Sequence, residues 1–197
     1  SDNQTLWFLS EDHGYLGIYT KGVGERRSKA LVADEHVVFD PELGPSGNYL
    51  YYRANVGHPG IYEIWRVDVR SGKAEQLTQL GGVNFVEVAP DESQLLITHS
   101  EINRHPELFV QDNRPGAEAR QITDTMSEEY KAIEWQEPAI VPVPSSHVDS
   151  PIYSKIYLPP GHDPANSYPA VMFVHGAGYT QNVDLGWPYY FREGMFH

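Results

Sequence analysis

The stretch Pro45-Ser46-Gly47-Asn48-Tyr49-Leu50-Tyr51-Tyr52 is a turn that leads into an apolar strand. A matching stretch, Pro90-Asp91-Glu92-Ser93-Gln94-Leu95-Leu96-Ile97, begins 45 residues later in the chain. The same shift relates Glu75-Gln76-Leu77-Thr78 to Arg120-Gln121-Ile122-Thr123. Short strands separated by Gly, Pro and Asp turns, with a period in the forties, are typical of β-propeller blades.

A third, fainter copy precedes these two. Gly14-Tyr15-Leu16-Gly17-Ile18-Tyr19 resembles Gly57-His58-Pro59-Gly60-Ile61-Tyr62, so two full blades and part of a third fit before about Tyr130. Closed propellers have about four to eight blades. We therefore expect the tail end of a larger propeller. The alternative is a β-sandwich whose repeats are similar by chance.

The pattern changes after residue 133. Residues 139–144 and 152–158 predict a two-stranded hairpin, and the prolines of the first strand suit a sheet edge. Residues 170–174 form a continuous apolar run, which predicts a strand buried on both faces of a parallel sheet. We therefore predict a mainly β chain. Residues 1–133 form incomplete β-propeller blades, and residues 134–197 form the first strands of a truncated α/β-hydrolase domain.

The apolar run ends at His175-Gly176-Ala177-Gly178. Small residues allow the backbone to turn sharply and to approach a ligand closely. A His-Gly-rich loop after a buried strand is how α/β-hydrolases present one backbone N–H of an oxyanion hole. Because the motif is short, a plain glycine turn without chemistry is the alternative. Further on, Trp187-Pro188 predicts the start of a helix over residues 189–197.

Composition excludes several classes of function. The net charge of −13 disfavours nucleic acids and anionic membrane surfaces as partners. The chain has no cysteine, which excludes disulfides and thiolate catalysis, and its nine histidines form no metal-binding pair, so we expect no metal site. No apolar run is long enough to span a membrane. The polar first residues show no signal peptide, and the missing initiator Met leads us to expect chain upstream.

The order of these elements resembles the prolyl oligopeptidase family of serine peptidases over nearly the whole chain. The blade ends at Leu77-Thr78 and Ile122-Thr123 resemble that family's propeller repeats. Glu134-Trp135-Gln136-Glu137-Pro138 resembles the crossing into its catalytic domain. Residues 168–182 resemble its first buried catalytic strand and the oxyanion-side loop, and the similarity is greatest to dipeptidyl-peptidase-like members.

The resemblance implies a serine nucleophile, a histidine base and an orienting aspartate that act on short peptides without a cofactor. It also implies a homodimer of the full-length enzyme and favours a periplasmic or secreted location. Residues 1–197 contain no Gly-x-Ser-x-Gly nucleophile motif; Gly44-Pro45-Ser46-Gly47-Asn48 fails at its fifth position. Since the triad follows the oxyanion loop in this fold, we expect it beyond His197 and expect this segment alone to be inactive.

The resemblance assigns the oxyanion side of the site to His175, Gly176, Ala177 and Gly178. His175 either supports this loop or only satisfies a buried backbone group. Tyr179 either lines the substrate pocket or packs in the core. A cluster of aromatic residues either holds a proline ring or is simply buried; its members are Trp187, Tyr189, Tyr190 and Phe191.

Glu128-Glu129 invites comparison with the acidic pair that binds the substrate amino terminus in dipeptidyl peptidases. The preceding Met126-Ser127 lacks the aromatic residues of that motif, so we favour a solvated turn. Two other functions remain open: an esterase on the same fold and a non-enzymatic propeller that binds a partner protein. The His-Gly-Ala-Gly loop favours a hydrolase, and the long run of blade repeats favours a peptidase over an esterase.

Overall fold

The computed structural model describes residues 4–176, 178 and 180–189. These residues form four antiparallel sheets, and the strands of each sheet pair in chain order. The first sheet contains β1 (Thr5–Ser10), β2 (Gly17–Gly22) and β3 (Lys29–Val32). The second contains β4 (Val38–Leu43), β5 (Tyr49–Ala54), β6 (Glu63–Asp68) and β7 (Ala74–Gln76). The third contains β8 (Val83–Val88), β9 (Gln94–Glu101), β10 (Arg104–Asp112) and β11 (Arg120–Gln121). The fourth pairs β12 (Ala139–Val143) with β13 (Ile152–Ile156).

The mainly β fold predicted from the repeat is confirmed. The second and third sheets are four-stranded meanders that match the two strong copies of the repeat. In the first sheet, β1 pairs with β2 and β2 with β3, which reproduces the pairing of β5, β6 and β7. Within the described residues the sheets are open and none closes into a barrel.

Strand β5 shows why the sheets stack face to face. Successive side chains of a strand point to opposite faces, and here both faces are apolar. Leu50, Tyr52 and Ala54 pack with residues of the first sheet, including Ile18. Tyr51 points the other way and packs with Leu95 and its neighbours in the third sheet. The middle sheet is therefore buried on both faces, as a propeller blade is by its two neighbours.

Thr78, which follows β7, is hydrogen-bonded to β6 of the second sheet. The Thr78 hydroxyl accepts a hydrogen bond from the backbone N–H of Ile64 at 2.8 Å and donates to the Glu63 carboxylate at 2.5 Å. The same carboxylate accepts the backbone N–H of Gly81 at 2.7 Å. Glu63 is only 8% exposed, so these donors replace the water that its charge would otherwise need.

The third sheet repeats this arrangement. The Thr123 hydroxyl accepts the backbone N–H of Leu108 at 2.8 Å and donates to the carboxylate of Glu107, which is 6% exposed. Thr125 adds its backbone N–H and its hydroxyl to Glu107, at 2.6 and 2.9 Å. The repeated Leu-Thr and Ile-Thr pairs in the sequence thus mark a buried carboxylate–threonine lock, one in each complete sheet.

Polar side chains also join the second sheet to the third. The Gln111 amide donates to the Leu77 carbonyl at 2.6 Å, and Asn113 donates to the Tyr51 hydroxyl at 2.8 Å. Arg66 donates to the Asn113 side-chain oxygen at 3.2 Å. These bonds fix the register of one sheet over the other, which apolar packing alone does not specify.

The hairpin predicted near residues 139–158 is present as β12 and β13, in continuous register from Ala139 against Ile156 to Val143 against Ile152. The buried strand predicted at residues 170–174 is wrong for this structure. These residues take no strand conformation, and Val171 and Met172 are each 87% exposed. An apolar run becomes a buried parallel strand only when strands on both sides take its backbone hydrogen bonds, and β12 and β13 pair with each other instead.

The only helix in the described part of the chain is α1 (Glu128–Lys131), so the expected lack of long helices in the blades is confirmed there. No helix within residues 4–176, 178 and 180–189 has the length and apolar character needed to cross a membrane. The helix expected over residues 189–197 lies almost wholly outside the described residues.

Thr78→Val tests the carboxylate–threonine lock. The change keeps the side-chain shape but leaves the Ile64 amide and the Glu63 carboxylate each short of one partner. We expect the free energy of unfolding to fall by about 2–3 kcal/mol. Urea unfolding would measure this, with Thr98→Val on β9 as the control for the same substitution at a half-buried strand position. A loss equal to that of the control would contradict the role of the lock.

Glu107 makes the third sheet sensitive to acid. Burial raises its pKa, but the hydrogen bonds from Thr123 and Thr125 lower it more, so the pKa lies below the ordinary value of 4.5. The ionised form therefore stabilises the fold, and this contribution is lost as the pH falls from 4.5 through the lowered pKa of the folded state. Glu107→Gln should unfold more easily at neutral pH, by about 1–3 kcal/mol, and lose stability less steeply in acid.

Urea unfolding at a series of pH values would measure both effects. Glu118→Gln, at an exposed position before β11, controls for the removal of one negative charge. If Glu107→Gln lost stability in acid as steeply as the unaltered protein, Glu107 would not contribute to the acid response.

Candidate functional site

The loop that follows the apolar run is exposed. Both His175 and Gly176 lie on the surface, and His175 Nδ1 donates a hydrogen bond to the Gly176 carbonyl oxygen at 2.9 Å. Gly178 lies in a turn and is also exposed. Ala177 and Tyr179, which the sequence also places in the site, lie outside the described residues. The imidazole therefore contacts the loop backbone, and its role toward an oxyanion stays a prediction.

Within the described residues, the fold leaves space at both glycines of this loop. A Cβ added at Gly176 or at Gly178 would meet no described atom beyond the chain neighbours within 4 Å, and neither residue takes the left-handed backbone conformation that favours glycine. The described part of the fold therefore contains no steric or conformational requirement for glycine at either position.

The chain after the loop returns to the blades. We call residues 181–187 the docking segment. The Gln181 amide donates to the Tyr62 hydroxyl. The backbone N–H of Leu185 donates to the Gly60 carbonyl at 2.8 Å, and the backbone N–H of Trp187 donates to the Ser100 hydroxyl at 3.3 Å. The candidate loop is thereby tied to the blades a few residues after Gly178.

Two glycines permit this close approach. A Cβ on Gly186 would lie 2.6 Å from Val83 Cγ2 and 2.8 Å from Val83 Cβ. A Cβ on Gly60 would clash with Ile140 Cδ1 of β12 and would lie 3.3 Å from Asp184 Cα. The docking segment therefore approaches the blades at Gly60 and Gly186 because no side chain stands there, and β12 also approaches Gly60.

Aromatic rings from three parts of the chain meet at the end of the docking segment. Trp187 lies edge-on to His105, with ring centroids 6.0 Å apart, and also 6.0 Å from Tyr130. Tyr130 in turn stacks near Trp135 at 4.6 Å. Of the aromatic cluster predicted from the sequence, the structure describes Trp187, which lies near His105 and Tyr130, and Tyr189, which is 77% exposed. Tyr190 and Phe191 lie outside the described residues.

Tyr62 lies between the docking segment and an ion pair formed by Arg53 on β5 and Asp40 on β4. Arg53 forms an ion pair with Asp40 at 2.6 Å, and its guanidinium lies 5.6 Å from the Tyr62 ring and 4.4 Å from the Phe85 ring. A cavity of about 320 Å³ opens beside this group, between the second and third sheets. Burial and, to a smaller extent, the nearby Asp184 carboxylate together raise the pKa of Tyr62 to about 12, so its hydroxyl stays neutral.

Glu128 and Glu129 lie in the first turn of α1, capped by Ser127. Glu128 is 87% exposed along its side chain and pairs with Lys131 at 3.0 Å. Both residues are exposed, as expected of a solvated turn, and the turn is a single turn of helix in which Glu128 pairs with Lys131. In the part of the chain that the structure describes, no group of three or more His, Asp or Glu side chains could hold a metal ion.

No family model matches the chain. Among solved structures, the chain is similar to the crystal structure of Porphyromonas gingivalis dipeptidyl peptidase 4, with a TM-score of 0.78 and 17% sequence identity. The fold is shared. The similarity covers all of this chain and 28% of that protein, so the chain spans about a quarter of its relative's length.

The residues that hold the loop beside the blades were not predicted from the sequence. Gly60 and Tyr62 lie in the connection between β5 and β6 of the second sheet. Gln181 and Gly186 lie in a segment that the sequence predicts to be a loop. The recurrence of Gly14-x-x-Gly17 and Gly57-x-x-Gly60 in the blade repeat is a signal for Gly60. Nothing in the local sequence pairs Tyr62 with Gln181, since 119 residues separate them.

Substitutions in the exposed loop should leave the fold intact. His175→Ala, Gly176→Val and Gly178→Val each alter side chains that meet open space or only the adjacent backbone. We expect each variant to change the free energy of unfolding by less than about 0.5 kcal/mol, the range of ordinary surface substitutions. Urea unfolding would measure this, with Gly186→Val as the contrasting buried change. A large loss at Gly176 or Gly178 would show that the fold itself requires glycine there.

Proposed function

We propose that this chain is a segment of a serine peptidase of the prolyl oligopeptidase type, similar to dipeptidyl peptidases, that hydrolyses short peptides. The observation that supports this best is the fit of the entire chain to 28% of a dipeptidyl peptidase 4 structure, with a TM-score of 0.78. In that order of elements, blades are followed by a hairpin and by a His-Gly-x-Gly loop. The two units proposed from the sequence, residues 1–133 and 134–197, are the propeller part and the start of the catalytic part.

The role of the loop follows from the chemistry of acyl transfer. A serine attacks the peptide carbonyl, and the developing oxyanion needs donors about 2.7–3.1 Å away. A backbone N–H of residues 176–178 serves this purpose well, because it carries no charge to desolvate and cannot rotate away from a fixed chain. The described residues leave space around Gly176 and Gly178, which supports the access of a substrate carbonyl to this backbone.

His175 takes the supporting role in this proposal. Its Nδ1 donates to the Gly176 carbonyl oxygen, so Nδ1 carries the proton of this bond. The bond helps to hold the carbonyl of Gly176 in one orientation. Because peptide units are planar, a restrained carbonyl also restrains the local backbone, and a backbone N–H of this loop is the donor that we propose for the oxyanion.

The blades supply the substrate side of the site. The cavity beside Arg53 lies between the second and third sheets, and its lining includes the carboxylates of Asp40 and Glu42. Propeller and loop come together at Tyr62, which borders Arg53 and accepts the Gln181 amide. A short peptide held by the blades would thereby extend toward the loop.

The test of this function uses the full-length protein that contains this chain. A fluorophosphonate should label one serine outside residues 1–197, and the 197-residue chain alone should stay unlabelled. Gly176→Val and Gly178→Val in the full-length protein should lower kcat on a chromogenic dipeptide about 100-fold, with a smaller effect on KM. His175→Ala should lower kcat less, because it removes support and not the donor.

Ala165→Val, in an exposed loop upstream, is the control for added bulk on this part of the chain. The proposal fails if the full-length protein is not labelled, or if both glycine variants keep the unaltered kcat while folded. Hydrolysis of simple esters without any cleavage of peptides would assign the chain to an esterase instead.

A further inference from the structure

The candidate loop is held to the blades by a short tether. Gln181 follows Gly178 by three positions, and three Cα–Cα steps span at most about 11 Å when fully extended. Gln181 is bonded to Tyr62 through its side-chain amide, so the Gly178 Cα lies within that distance of the residue that is attached to the blades. The position of the loop therefore depends on where the blades hold Gln181.

The blade side of this attachment is rigid. Tyr62 is 2% exposed, its ring lies 5.8 Å from Phe39, and the Arg53 guanidinium lies over it at 5.6 Å. Its backbone is bonded to the next sheet, because the Tyr62 N–H donates to the Gly82 carbonyl at 2.9 Å. The Asn84 N–H donates to the Tyr62 carbonyl at 3.1 Å. The hydroxyl that accepts Gln181 is thus fixed by both the second and the third sheet.

The remaining contacts of the docking segment come from the same two sheets. The carbonyl of Gly60, between β5 and β6 of the second sheet, accepts a hydrogen bond from the backbone N–H of Leu185. The hydroxyl of Ser100, on β9 of the third sheet, accepts one from the backbone N–H of Trp187. Gly186 packs on Val83 of β8 with no room for a Cβ. The segment consequently spans the seam between the two sheets and depends on their mutual packing.

We propose that Gly60, Tyr62, Val83 and Ser100 form a blade clamp that positions residues 175–178 through the docking segment. These are positioning residues: they act on the loop through Gln181 and Gly186 and do not contact the reacting atoms. The proposal rests on the proposed function for its catalytic consequence. The docking itself is independent of that function and is measured separately.

The experiment is a double-mutant cycle in the full-length protein. Tyr62→Phe removes the hydroxyl and keeps the ring, and Gln181→Ala removes its partner. We expect each to lower kcat on a chromogenic dipeptide about 2- to 10-fold, the effect of one neutral hydrogen bond, with KM and the melting temperature unchanged. The double variant should show no further loss, because both single changes break the same bond.

Tyr19→Phe is the matched control. It also removes one tyrosine hydroxyl that is hydrogen-bonded, to His13 Nδ1 at 2.9 Å, at a position 5% exposed in the first sheet, away from the clamp and from the cavity beside Arg53. Its kcat should equal that of the unaltered protein. Hydrogen exchange provides the second measurement: Tyr62→Phe should speed the exchange of backbone amides in residues 175–187 about 2- to 10-fold, and Tyr19→Phe should not.

The outcomes separate the two proposals. If Tyr62→Phe and Gln181→Ala keep the kcat of Tyr19→Phe, or if exchange rises without a change in kcat, the clamp does not position the loop. Additive losses in the double variant would overturn the assigned bond. If the unaltered full-length protein hydrolyses neither peptides nor esters, the proposed function falls. The clamp is then supported by faster exchange in Tyr62→Phe and overturned by unchanged exchange.

Discussion

Burial of the second sheet on both faces is the constraint on which the rest of the structure depends. A strand with one apolar face can lie on a surface, but β5 presents Tyr52 to one neighbour and Tyr51 to the other. Fully burying side chains of this kind contributes about 1.5–3 kcal/mol each, and that contribution is lost if either neighbouring sheet moves away. The three blade-like sheets are therefore stable as a stack, with the second sheet as its centre.

Apolar packing brings sheets together but does not fix one sheet's position along the other. The polar groups do this, because hydrogen bonds have strict distances and directions. Glu63 illustrates the point: its buried carboxylate accepts Thr78 and Gly81 from its own sheet's outer strand and following turn. It also accepts the amide of Asn84 in the third sheet at 3.3 Å, and Asn84 contacts the buried His99 at 2.9 Å. A charge buried in this way is tolerated only in one arrangement of the two sheets, which gives the seam its specificity.

The same seam receives the docking segment. Ser100 and Val83, which border it from the third sheet, contact Trp187 and Gly186, and Tyr62 from the second sheet contacts Gln181. The buried hydrogen bonds that fix the second sheet against the third therefore also fix the surface on which residues 181–187 lie. The packing of the second sheet against the third thus also positions residues 181–187 of the proposed catalytic part.

Much of the fold could be predicted because it is local and repeated. Period-two alternation and turn residues are properties of neighbouring residues, and the 45-residue shift repeats them along the chain. The sequence alone therefore determined the blade strands, their order and the β12–β13 hairpin. It also located the His175-Gly176 loop. The sequence could not determine the state of residues 170–174, because a buried strand needs partner strands and its apolar composition records only the tendency to be buried. Only the tertiary structure decided that Tyr62 meets Gln181 and that Gly186 lies on Val83, since contacts across so many residues depend on how whole sheets stack.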